Sequence, residues 1–175
     1  MISKKLFQRL YSSFNGVFMI LQDVLLPEFI KVSMEAEDRD EAFEELVAWY
    51  CQADNSDAHD VILDAILARE AKMSTGIHKG IAVPHGKTKA VDTLRGVLGI
   101  SQKGVQYDSL DGEPVYLLFM IISPMEDSEK YLRLLKHLAE LMEIPQFQIE
   151  LQAQKDPQSA FKVIRKFEEM LSAQN

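Results

Sequence analysis

The stretch STGIHKGIAVPHG, from Ser74 to Gly86, decides the fold prediction because it joins a short apolar segment to a histidine held between a proline and a glycine. Residues 80–83 are typical of a short buried strand, which would deliver His85 to its end. Pro84 fixes its own φ, and Gly86 lacks the Cβ that would crowd a group approaching the imidazole. Open α/β sheets bind ligands at strand ends, so His85 is the first candidate for a functional residue.

The rest of the chain alternates strand-like and helix-like patterns, with no repeat, long linker or low-complexity tract. This alternation predicts a single α/β domain with a mixed central sheet flanked by helices. Further strands are predicted at 29–34, 96–101, 104–107 and 115–123, the second and third of these forming a hairpin. Helices are predicted at 40–52, 57–73 and 128–142, with a last helix beginning at Pro157. Asp57 is the expected N-cap of the second helix.

Composition excludes several classes of protein. The 175 residues suffice for one domain with a substantial core, and a formal net charge of −8 argues against nucleic acid or anionic membranes as partners. The single cysteine, Cys51, excludes an internal disulfide and a multi-cysteine zinc site, which suits a reducing cytoplasm. We therefore expect a cytoplasmic protein.

The N-terminal segment opens with basic residues and contains an apolar run at 17–21, which is too short to span a membrane. Residues 2–22 predict an amphipathic helix. Such a helix can bind a membrane surface or a partner, but packing on its own domain or on a second subunit is the simpler interpretation. If the protein forms a homodimer, we expect this segment to make the contact.

The sequence contains no serine elbow, no phosphate-binding glycine loop and no histidine pair at metal spacing, so it predicts no metal and no cofactor. A neutral imidazole can nevertheless act as a nucleophile and take a phosphoryl group covalently. Such a transfer needs alignment and donors for the phosphoryl oxygens, and the guanidinium of Arg69 is suited to that role. From the residues alone, Arg69 also fits an arginine that extends to solvent, and His85 also fits a structural histidine.

The motif Arg69-Glu70, then Ser74-Thr75-Gly76-Ile77, then Gly80-Ile81-Ala82-Val83-Pro84-His85-Gly86 resembles the enzyme IIA component of the bacterial phosphotransferase system, fructose and mannitol class. This class includes the nitrogen-related regulatory IIA proteins. The resemblance begins near Leu25, so we place a IIA type-2 domain over residues 25–175 and an N-terminal helical extension over residues 1–24.

The resemblance implies that His85 is the phosphorylated residue. It would receive its phosphoryl group from the histidine-containing phosphocarrier protein and pass it to a cysteine of a IIB domain. Arg69 would be the active-site arginine, and Ser74, Thr75 and Gly86 would support the phosphoryl pocket. The resemblance also suggests phosphorylation at Nε2, with Nδ1 held by a backbone group.

One departure from the family concerns Tyr131, which stands where the family commonly has a second active-site histidine. A tyrosine hydroxyl can donate to a phosphoryl oxygen but carries no positive charge. Three hypotheses follow: a phosphohistidine carrier, a regulatory protein-binding module gated by phosphorylation of His85, and a scaffold that has lost transfer. The first two can coexist, and neither the sugar nor a regulatory target is readable from the sequence.

Overall fold

A six-stranded mixed sheet forms the centre of the molecule in the computed structural model, which describes residues 20–126 and 128–173. Its strands are β1 (Ile30–Val32), β2 (Gly76–His78), β3 (Ile81–Ala82), β4 (His85–Thr88), β5 (Arg95–Val105) and β6 (Val115–Pro124). The order is β1-β5-β6-β3-β2, and β4 also pairs with β6. β5 and β6 are antiparallel, whereas β1 runs parallel to β5, and β3 and β4 run parallel to β6.

Helices cover both faces of this sheet. Within the described residues they are α1 (Leu21–Val24), α2 (Arg39–Asp54), α3 (His59–Glu70), α4 (Ser128–Met142), α5 (Pro145–Gln152) and α6 (Pro157–Ser172). The central strand β6 sends Leu117, Phe119 and Ile121 into the core shared with α1, α4, α5 and α6. Its alternate residues Leu118, Met120 and Ile122 enter the core shared with α2 and α3. This period of two explains why a continuous apolar run forms a strand buried on both faces.

The predicted α/β class, with a mixed sheet flanked by helices, is confirmed. The helix predicted at 128–142 and the proline in the first turn of the last helix are also observed. Asp156 caps that last helix by accepting a hydrogen bond from the Ser159 amide at 2.9 Å.

The hairpin predicted from 96–101 and 104–107 is wrong, because β5 runs without a break from Arg95 to Val105 and pairs with β6. The register shifts between Ile100 and Val105, where Gly104 has a φ of +84° and donates to the Ser101 hydroxyl at 3.0 Å. The predicted turn between two strands is therefore an irregularity within one strand.

Other boundaries also differ. The strand predicted at 29–34 shortens to Ile30–Val32, because residues 27–29 form a 3₁₀ turn. Asp57 does not cap α3, whose N-cap is Ala58 without a side-chain bond. The short helix α5 was not predicted.

The first described residues are tied to the core by a buried carboxylate. Glu168 on α6 is 1% exposed; it accepts hydrogen bonds from the amides of Leu21 and Gln22 and lies 2.9 Å from Nε2 of His137. Leu21 itself is fully buried. The predicted extension lies mostly outside the described residues, and its boundary at residue 25 stays a prediction. Among residues 20–126 and 128–173, no helix is long and apolar enough to cross a bilayer.

Candidate functional site

His85 stands at a break in the sheet. The strand predicted at 80–83 is observed only at residues 81–82, as β3. His85 does not follow the end of this strand directly but is the first residue of β4. Pro84 separates the two strands because it has no N–H to donate to a sheet ladder. The Val83 carbonyl lies 2.7 Å from Nδ1 of His85. Since a carbonyl can only accept, Nδ1 carries the proton, as expected for a ring nitrogen held by a backbone group.

The other ring nitrogen faces Arg69, which lies in the last turn of α3. The Nε–H group of Arg69 donates to Nε2 of His85 at 2.9 Å, and its Nη1 donates to the Met73 carbonyl at 2.9 Å. Because the arginine is the donor, Nε2 must present its lone pair. The structure thus places Arg69 against His85 instead of extending it into solvent.

The surroundings of His85 favour its neutral form. Burial lowers the pKa of His85 below its ordinary value, and the positive charge of Arg69 lowers it further, against the opposing effect of the Val83 hydrogen bond. A neutral imidazole with its proton on Nδ1 and its lone pair on Nε2 is the form that can attack an electrophile.

Tyr131 on α4 lies beside this ring, with 5.6 Å between the two ring centroids. Burial raises the pKa of Tyr131, so its hydroxyl keeps its proton. The ammonium of Lys87 lies 5.3 Å from the Tyr131 ring centroid and donates to the Ser128 hydroxyl at 2.6 Å. Tyr131 therefore places beside His85 a neutral ring that contacts a cation.

Thr75 supports the site from within the core. Its amide donates to one oxygen of Glu70 at 2.9 Å and its hydroxyl to the other at 2.6 Å, while the Tyr107 hydroxyl lies 2.8 Å from the same Thr75 hydroxyl. The Thr75 carbonyl accepts from the Val83 amide at 3.0 Å. This predicted pocket residue thus fixes the strand that leads to His85, and its hydroxyl is taken up by core partners.

Ser74 makes a local contact, since its hydroxyl accepts from the Gly76 amide at 3.3 Å. Gly86 serves helix packing: a Cβ there would lie 2.9 Å from the carbonyl carbon of Ala65 in α3. In β4, His85 and Gly86 alternate between the two faces of the sheet. The glycine thus admits α3 on the face opposite the His85 side chain, and clearing the approach to the imidazole is not its observed role.

We predict that Gly86→Ala lowers stability by about 1–3 kcal/mol, because its methyl group would press on backbone atoms that cannot rotate away. Thermal unfolding measures the effect, with Gly96→Ala as the control, since its Cβ would meet the Leu25 side chain at 3.3 Å. An unfolding midpoint for Gly86→Ala at or above that of Gly96→Ala would contradict the packing role.

Sequence reasoning singled out neither Lys87 nor Ser128 as a site residue. Had a strand been predicted over residues 85–88, the period of two would have placed Lys87 on the same face as His85. Ser128 has no such signal, because it meets Lys87 only through tertiary packing. Among the described residues, no group of three or more His, Cys, Asp or Glu side chains could hold a metal ion.

The comparison with protein families gives a match over residues 23–167 to the phosphoenolpyruvate-dependent sugar phosphotransferase system, EIIA 2. The chain belongs to this family, as the resemblance of the 69–86 motif predicted.

Two curated relatives are matched over different shares of their own length. The chain is 35% identical over 124 residues to the PTS system fructose-specific EIIABC component of Bacillus subtilis, covering 71% of this chain but 20% of that protein. It is 25% identical over 146 residues to the nitrogen regulatory protein of Bradyrhizobium diazoefficiens, covering 83% of this chain and 95% of that protein.

Solved structures show the same fold. The nitrogen regulatory protein IIA-Ntr from Neisseria meningitidis superposes with a TM-score of 0.75 at 25% identity, covering 81% of this chain and 97% of that one. Enzyme IIAMTL from Escherichia coli, solved in complex with phosphorylated enzyme IIBMTL, superposes with a TM-score of 0.66 at 17% identity, covering 79% and 95% of the two chains.

Proposed function

We propose that His85 accepts a phosphoryl group at Nε2 from the histidine-containing phosphocarrier protein and passes it to a cysteine of a IIB domain. The observation that carries this proposal is the pair of contacts on the imidazole: the Val83 carbonyl holds the proton on Nδ1, and the lone pair of Nε2 faces the Nε–H group of Arg69. As the bond from Nε2 to phosphorus forms, the bond from phosphorus to the donor histidine breaks. The electron pair of that bond returns to the donor nitrogen.

Arg69 has to change partner during this step. In the resting site its Nε–H group occupies the lone pair of Nε2, so phosphorylation displaces that hydrogen bond. The guanidinium can then turn its donors to the phosphoryl oxygens, where a fixed cation lowers the energy of the developing charge. The bond to the Met73 carbonyl keeps the arginine at the site during this exchange.

The positive charge that develops on the phosphorylated ring is stabilised from the other side. The Nδ1–H group donates to the Val83 carbonyl at 2.7 Å, and this bond strengthens as the ring becomes more positive. Onward transfer then needs only a thiolate aligned with the bond between Nε2 and phosphorus, since the neutral imidazole is the leaving group.

A regulatory role is the second candidate. It is supported by the similarity to nitrogen regulatory proteins, at 25% identity over 146 residues for that of Bradyrhizobium diazoefficiens and 25% for IIA-Ntr of Neisseria meningitidis. Phosphorylation would add nearly two negative charges beside Arg69, which is sufficient to change the affinity of a protein partner. Carrier and regulatory roles use the same phosphorylated residue.

Incubation with phosphoenolpyruvate, enzyme I and the phosphocarrier protein tests both roles at their common step. We expect an acid-labile, base-stable phosphate attached to Nε2, identified by NMR of protein with labelled nitrogen. Loss of the label on adding a IIB domain would support transport, whereas selective retention of a partner by the phosphorylated form would support regulation. Absence of label, with an active phosphocarrier, would reject the proposal.

A pH titration tests the electrostatics of His85. Because burial and Arg69 lower the pKa of His85, the ring should remain neutral at pH values where an ordinary histidine, with a pKa of about 6.5, is already protonated. NMR of the ring nitrogens should show a midpoint below that of a histidine peptide, and Arg69→Ala should move it upward. A midpoint at or above the peptide value would contradict the arrangement.

A further inference from the structure

Lys87 is a cation close to the proposed phosphoryl site that neither the motif nor the function assigned above uses. It follows His85 by two residues in β4, so the two side chains leave the same face of the sheet, with their Cα atoms about 7 Å apart. Lys87 is half-buried. Its ammonium nitrogen donates to the Ser128 hydroxyl at 2.6 Å and lies 5.3 Å from the centroid of the Tyr131 ring.

The Tyr131 ring connects this lysine to the histidine. The Tyr131 ring has two neighbours: the His85 ring, with 5.6 Å between the centroids, and the Lys87 ammonium group. An ammonium group within about 6 Å of an aromatic centroid is attracted by the ring electrons. Tyr131 therefore holds a positive charge near His85 without carrying one itself.

The charge balance of the phosphorylated site gives this lysine a role. A phosphoryl group brings nearly two negative charges, and Arg69 supplies one positive charge. The partners of the Lys87 ammonium in the resting site are a hydroxyl and a ring, both neutral, so little is lost when it turns toward an anion. Its flexible four-carbon chain can cover the distance along the strand.

We propose that Lys87 is the second cation of the phosphoryl pocket, binding a phosphoryl oxygen on His85, and that Tyr131 and Ser128 are positioning residues that hold its ammonium group in place. This inference rests on the proposed phosphorylation of His85. In this arrangement Tyr131, at the usual second-histidine position, holds the positive charge of Lys87 on β4 near the phosphoryl group.

The equilibrium of phosphoryl exchange with the phosphocarrier protein tests the assignment. Phosphorylated phosphocarrier is mixed with the full chain in the absence of enzyme I, and both phosphoproteins are quantified by intact mass after quenching in base. A charge-assisted bond contributes about 10- to 100-fold to such an equilibrium. Lys87→Met should shift it toward the phosphocarrier by about that factor, and Lys87→Arg should restore most of the loss.

Lys89→Met is the matched control, since Lys89 is exposed beyond the end of β4 and should leave the equilibrium unchanged. Tyr131→Phe keeps the ring that holds the lysine and removes only the hydroxyl, so it should retain a larger phosphorylated fraction than Tyr131→Leu. Tyr131→Leu removes the ring and should lower the phosphorylated fraction. A large loss in Tyr131→Phe would instead assign the interaction to the hydroxyl and overturn the proposed role of the ring.

The outcomes separate this inference from the function on which it rests. Phosphoramidate, a small phosphoryl donor for histidine, shows whether His85 can be phosphorylated without any partner protein. If wild-type protein is labelled and Lys87→Met matches it at equilibrium, the role of Lys87 is rejected while the phosphorylation stands. If neither phosphoramidate nor the phosphocarrier labels wild-type protein, both proposals fail. Equal thermal unfolding of the variants excludes a folding defect as the cause.

Discussion

The His85→Ala variant is expected to take up no phosphoryl group from the phosphocarrier protein, at any concentration or time that fully labels wild-type protein. The variant lacks the Nε2 lone pair, and the two described side chains beside it, Arg69 and Tyr131, cannot replace it. Arg69 carries a charge without an available lone pair, and the Tyr131 hydroxyl keeps its proton because burial raises its pKa. The measurement is retention of labelled phosphate after quenching in base.

His59→Ala is the control for this experiment, because it removes a histidine elsewhere on the chain. The His59 ring lies 3.0 Å from both a Glu44 and an Asp60 carboxylate oxygen, so its two nitrogens face anions that repel a phosphoryl donor. This variant should be labelled like wild type. Full labelling of His85→Ala would assign the phosphate to another residue and remove His85 from the proposed site.

The Arg69→Ala variant is expected to lose about 100- to 1000-fold in the initial rate of phosphoryl acceptance, the cost of removing one charge-stabilising donor from a transfer site. Arg69→Lys should recover only part of that rate, because an ammonium group lacks the planar fork that binds two oxygens at once. The rates are measured by quenching early time points in base, with phosphocarrier in excess.

Arg133→Ala is the matched arginine control. The Arg133 side chain is about half exposed and pairs with Glu129 one turn away on α4, so its removal should not alter the rate. Both variants should unfold at temperatures close to wild type, because the two acceptors that lose Arg69, on His85 and Met73, lie at part-buried and exposed positions where water can replace it. A rate for Arg69→Ala within a factor of about three of wild type would remove this residue from the transfer step.

The sequence predicts the core elements because their patterns are strong and local. The apolar run at 115–123 appears as the central strand, and the stripe from Ser128 to Met142 appears as a helix with the predicted bounds. His85 and Arg69 were selected by motif, and the structure places their side chains in contact. Both cases depend on residues whose chemistry or periodicity is visible within a short window.

The errors arise where packing overrides local signals. The residues between 101 and 104 were predicted to turn between two strands, yet β5 continues past them with only a shift of its register against β6. Gly86 suggested clearance for a ligand, yet it admits the backbone of α3. Lys87 meets Tyr131 and Ser128 only after β4 and α4 are assembled, so no linear spacing indicates their contact.

The buried carboxylate of Glu168 has a practical consequence for shortened versions of this protein. A fragment that starts at residue 20 retains both amide donors that satisfy it, whereas one that starts at Leu25, where the family resemblance begins, removes them together. The carboxylate would then face the apolar core with only the His137 ring as a partner, and an unsatisfied buried group of this kind is strongly destabilising. Truncation at the apparent start of the domain would therefore weaken the fold, so the residues just before it belong in any expressed fragment.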